Sequence, residues 1–149
     1  MNWNENKSVR LSQVCVIIFA ALLLLLDVFC YAAVRWFTGM RGMQWQTGVL
    51  MMITIYLCSV VGWVLLWKLW RLLRNIRAQV VFDAKNVALL RAVSWCCVGA
   101  GIICLVSSCY YLPFSAVAIA AGFMALIVRI VKNVFEQAIL MKDDLDLTI

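Results

Sequence analysis

Asp27 is the one acid within the long apolar runs of this chain, eight residues before Arg35 and so about 12 Å along a helix from that cation. Ionisable groups at such depth are costly in hydrocarbon and mark ion pathways, proton relays or ligand counter-ions. Thr54 and Tyr56 in the second run, and Ser107 in the third, fall at comparable depths and offer hydrogen-bond donors. The chemistry this would support is a proton or cation path through Asp27, Thr54 and Tyr56. The plainer reading is an interhelical hydrogen bond, or a protonated Asp27 packed against its neighbours. Transport relays usually need more than one such group, and the runs hold no second acid.

Cysteine is the other residue type that could react. Cys15, Cys30, Cys58, Cys96, Cys97, Cys104 and Cys109 all fall in apolar stretches, none forms a C-x-x-C pair, and the chain has no histidine. Metal ligation needs recognisable ligand spacing, which is missing here. A free cysteine otherwise behaves as a small hydrophobe, so these are read as packing. Cys58 and Cys109 fall near one face of the membrane and pair only if they are adjacent. No cofactor, metal site or catalytic residue is expected, and an enzyme acting on lipid is the weakest reading, for want of histidine, convergent carboxylates or a catalytic-cysteine signature.

The elements that must carry these residues follow from composition. Of 149 residues, 66% are hydrophobic, against about half in a soluble domain. A bilayer core takes roughly 20 apolar residues per helix, and four runs meet that length: 14–36, 48–68, 92–112 and 114–134. The expectation is an all-α, four-span membrane bundle forming one domain over 1–149, with a helical connector at 69–91 and an acidic tail at 135–149. The first run is longer than a secretory h-region and has no small-residue exit, so it reads as a retained helix.

Basic residues near span ends favour the cytoplasmic side. Lys7 and Arg10 precede the first run; Lys68, Arg71, Arg74, Arg77, Lys85 and Arg91 join the second to the third; Arg129, Lys132 and Lys142 close the chain. Those eleven of thirteen share one side in a four-span layout, with Arg35 and Arg41 opposite. Both termini are therefore expected in the cytoplasm. Tyr110-Tyr111-Leu112-Pro113 reads as a tight outer hairpin, proline suiting a helix start. The first outer loop, Thr38 to Thr47, reads as a short connection.

Leu66, Leu69, Leu73, Ile76 and Val80 recur at three- and four-residue steps, so the second helix should continue past the membrane as an amphipathic arm. Lys68, Arg71, Arg74 and Asn75 lie opposite that stripe, and Trp63, Trp67 and Trp70 read as interfacial anchors. Asp83 can cap the next helix. Gly99, Gly101, Ala118 and Gly122 allow close backbone approach, more within one copy than between copies, and a homo-oligomer stays open. At the tail, Leu145, Leu147 and Ile149 alternate with polar residues, the pattern of an edge strand or peptide ligand, against the alternative of a solvated end.

The connector reads Phe82-x-x-x-Asn86-x-x-x-Leu90-Arg91, and the chain closes Asp143-Asp144-Leu145-Asp146-Leu147-Thr148-Ile149. With the four-span layout, these segments resemble a bacterial membrane family, domain of unknown function 2975, whose members typically end in an acidic cluster followed by L-T-I. Where members often have proline before the connector phenylalanine and glycine after the arginine, this chain has Val81 and Ser94. Genes of that family often lie beside small helix-turn-helix regulators, so the resemblance implies a regulatory membrane partner.

Residue patterns and resemblance together favour a non-enzymatic integral protein of the bacterial inner membrane. Its docking surface would be Arg71, Arg74, Phe82, Asn86, Leu90 and Arg91 on the connector with Asp143, Asp144, Asp146, Leu147, Thr148 and Ile149 on the tail. The partners expected are the lipid bilayer and a cytoplasmic helix-turn-helix regulator or another membrane subunit. Direct nucleic-acid contact is not expected, since no base-reading groups stand clear of the membrane. The alternative is a small transporter or channel component using Asp27.

Overall fold

The computed structural model describes residues 3–78 and 83–147, and every regular element in them is helical. Four helices follow in order: α1 Trp3–Arg41, α2 Trp45–Arg77, α3 Ala84–Ser107 and α4 Phe114–Leu147. All four are long and apolar enough to cross a membrane. At 1.5 Å per residue the 39 residues of α1 extend about 58 Å and the 24 of α3 about 36 Å. Three of the helices thus reach well beyond a hydrocarbon layer of about 30 Å.

Local chemistry sets where each helix stops. Gly42 takes φ +60°, a conformation open to glycine. Beside it Met43 N–H reaches Thr38 O at 3.0 Å and Gly42 N–H reaches Gly39 O at 3.4 Å, a Schellman ending. The loop expected over Thr38 to Thr47 thereby shrinks to Gly42–Gln44. Asp83 caps α3 as its side-chain type predicts, its Oδ1 accepting from Lys85 N–H at 3.0 Å.

The third span was expected to run to residue 112, but α3 ends at Ser107. Pro113 disfavours helical geometry at Leu112. The backbone N–H groups of Tyr110 and Tyr111 turn back onto Ser107 O instead. The tail differs in the opposite sense. Leu145 and Leu147 continue α4 as helix, so the strand-like alternation read there is corrected: an i→i−4 ladder already running from Phe114 satisfies the backbone without a partner strand.

Among the described residues, close backbone approach is confined to sequential pairs, α1 with α2, α2 with α3 and α3 with α4. The bundle is therefore open between α1 and α4. Two apolar clusters tie it together at opposite ends. One joins Cys30, Val34 and Met51 to Phe37, Tyr110, Tyr111 and Phe114, with the Tyr111 ring edge-on to Phe37 and Phe114. The other joins Leu72, Leu89 and Leu90 to Leu69, Ile76, Val128 and Phe135. Elsewhere Leu24, Leu25, Leu26 and Phe29 stand more than half exposed around successive positions of α1. In water such a surface would be an aggregation liability, whereas lipid is its natural solvent.

Candidate functional site

Asp27 sits midway along α1, facing α2, where Ser59 and Trp63 lie one turn apart and so share a helix face. Ser59 Oγ donates to Asp27 Oδ2 at 2.7 Å and Trp63 Nε1 donates to the same oxygen at 3.0 Å. Asp27 Oδ1 is buried and has no hydrogen-bond partner among the described residues. Tyr56 is near, but its hydroxyl donates at 3.3 Å to the backbone oxygen of Asp27 and not to the carboxyl group. Sequence reading missed Ser59 and assigned Trp63 to anchoring. The signal available was their four-residue spacing on α2.

Thr54 belongs elsewhere, and its grouping with Asp27 is corrected. It is buried against α3, where Thr54 Oγ1 and Ser107 Oγ share a hydrogen at 2.8 Å and Tyr110 Oη closes on Thr54 as well. Ser107 Oγ donates to Ile103 O at 2.8 Å, while Leu50 O accepts from Thr54 at 3.1 Å and from Tyr110 at 3.1 Å. Three hydroxyl hydrogens are thus shared among five contacts, so each hydroxyl has a partner although not all five bond at once. One turn below, Cys58 Sγ stands 3.7 Å from Cys104 Sγ. Cys109, the partner weighed for Cys58, is exposed beyond the end of α3, and all seven cysteines are free.

The connector divides into interior and surface. Asn75 Nδ2 donates to Asn86 Oδ1 at 2.9 Å, joining the end of α2 to the start of α3, and Asn86 is 0% exposed. Leu90 is buried in the Leu72–Leu89 cluster. Both had been assigned to an outward docking surface; packing places them inside, where they join the start of α3 to α2. Arg71, Arg74 and Arg91 are exposed, as are Asp143, Asp144 and Leu147 at the far end of α4. Phe82, Thr148 and Ile149 lie outside the described residues, as does the side chain of Asp146. The sequential antiparallel packing gathers the last turns of α2 and α4 at the same end of the molecule, with the start of α3 between them.

No curated protein and no solved structure matches the chain. One family model does, over residues 11–149, which spans all four helices, the connector and the tail. The chain therefore belongs to the family described as Protein of unknown function (DUF2975).

Proposed function

We propose that this membrane protein is a non-enzymatic docking subunit of the bacterial inner membrane, with both termini in the cytoplasm and its contact surface at the end where α2 and α4 finish. One observation carries the reading. The last turns of α4 leave Met141, Leu145 and Leu147 exposed at 62, 67 and 84% beside Asp143 and Asp144. Met141 and Leu145 are four residues apart and so share a face, the pattern of an amphipathic helix laid into a partner's apolar groove. The exposed Arg71, Arg74 and Arg91 of the same end add charge that steers and orients an acidic partner. The sidedness follows from the eleven basic residues gathered at that end. A helix-turn-helix regulator is the partner the family's gene neighbours imply; another membrane subunit is the other candidate.

The test is affinity purification from native membranes in mild detergent, comparing the full chain with one lacking residues 143–149 and with the double variant R71E/R74E. The reading expects a stoichiometric partner that is lost from the truncated chain and weakened by charge reversal. Unchanged co-purifying proteins in both would remove it. A second reading, a transporter or channel component, rests on the buried, unpaired Asp27 Oδ1. Full ion or solute flux by Asp27→Asn in liposomes would remove its main support.

A further inference from the structure

Between α3 and α4 an open apolar groove of about 370 Å³ runs along Gly101, Ile102, Ala118, Ile119 and Gly122. At the connector end it passes into a smaller recess of about 160 Å³ lined by Arg91, Trp95, Arg129 and Lys132. Ser94, Val98 and Arg129 line both, so the two spaces adjoin. The groove exists because small residues face one another: a Cβ on Gly101 would already meet Ala118 O at 3.5 Å, whereas one on Gly122 would meet nothing within 4 Å.

We infer that this is a binding site for an anionic glycerophospholipid, its phosphate held by Arg91, Arg129 and Lys132 and one acyl chain lying along the groove. Depth supports the assignment. Arg91 is sixteen residues from the end of α3, or about 24 Å, which puts its guanidinium near the far boundary of a layer of about 30 Å. Arginine stems lie along apolar surface while their heads reach the headgroups. Trp95, one turn from Arg91 and 70% exposed, suits the same boundary. Charge chooses the class of lipid. Lys132 is bridged at 2.8 Å to Glu136, and the described residues lining the recess include three cations and no carboxylate, so the surplus favours a headgroup with net negative charge. Basic recesses between spans are a general mode of anionic headgroup recognition. The inference depends on membrane embedding but not on the docking proposal or on sidedness.

Native mass spectrometry of the full chain in mild detergent, titrated with phosphatidylglycerol or phosphatidylcholine, tests it. Phosphatidylglycerol should be retained at least about tenfold more tightly, and R91Q/R129Q should erase that preference, since each basic residue near the surface is worth roughly a factor of five. R71Q/R74Q, which removes two cations outside the recess, should retain it. Gly122→Phe should weaken both lipids by filling the groove, and R91K/R129K should restore most of the preference with the fold left intact. Glycerol phosphate, carrying a headgroup without chains, should fail to compete. Equal retention of the two lipids, an unaltered preference in R91Q/R129Q, or a loss in R71Q/R74Q as large as in R91Q/R129Q would overturn the inference. So would competition by glycerol phosphate at lipid-like concentration.

Discussion

Two polar clusters lie five residues apart on α2, and they differ in how completely they close. Around Thr54, hydroxyls of Thr54, Ser107 and Tyr110 bond to each other and to backbone carbonyls. Around Asp27, two donors converge on Oδ2 and leave Oδ1 buried without a partner among the described residues. A closed network in an apolar medium fastens helices together. An open one costs free energy in the fold. The comparison therefore separates a closed clasp between α2 and α3 from a cluster between α1 and α2 that leaves one buried acceptor unfilled among the described residues.

Stability measurements in detergent can break that distinction. The largest effect is expected for Asp27→Leu, which should stabilise the fold by about 2 kcal/mol, the cost of an intramembrane acid less two modest hydrogen bonds. A destabilised variant would mean that the Asp27 cluster is as structural as its neighbour. Thr54→Val should act in the opposite direction, lowering stability by about 1 kcal/mol, because Ser107 and Tyr110 keep their carbonyl acceptors and lose only the bridge between them. A double-mutant cycle with Tyr110→Phe should show coupling near 0.6 kcal/mol, and additivity there would dissolve the clasp. Tyr56→Phe should fall within about 0.5 kcal/mol of the parent, since its 3.3 Å bond is partly exposed to lipid and does not touch the carboxyl group. The geometry beneath the clasp has its own check. Mild oxidation with diamide should link Cys58 to Cys104, detected as one joined proteolytic fragment, and a Cys58–Cys109 fragment would contradict the observed end of α3.

Several features were legible because each depends on short stretches of chain. Four spans came from apolar length, the α3 cap from Asp83, and continuation of α2 from the stripe read over Leu66 to Val80, whose Leu69 and Ile76 pack inward and whose Val80 lies outside the described residues. Leu72 was not in that stripe, although it is the most buried residue of the cluster it forms with Leu89 and Leu90. Periodicity located the face without resolving which of its residues meets α3. The connector's Asn86 was placed on the docking surface with its Phe82-x-x-x-Asn86-x-x-x-Leu90-Arg91 motif, and only the position of Asn75 at the end of α2 shows why it is buried. The same limit made Thr54 and Asp27 look like neighbours. Thr54 lies about 7.5 Å along α2 from Ser59 and points to α3, whereas Asp27 meets the α2 face that carries Ser59.

By itself the sequence determined the solvent, the number of spans and the lopsided charge, because hydrophobic length and basic residues act through the bilayer whatever the helices do to one another. The tertiary structure alone decided that, among the described residues, α1 and α4 stay apart and one Asp27 oxygen has no partner, and that Arg91, Arg129 and Lys132 line one recess beside the groove. Those facts depend on the rotation of each helix about its axis and on its pairing partner. Both are set by packing of small and bulky side chains between segments far apart in the chain.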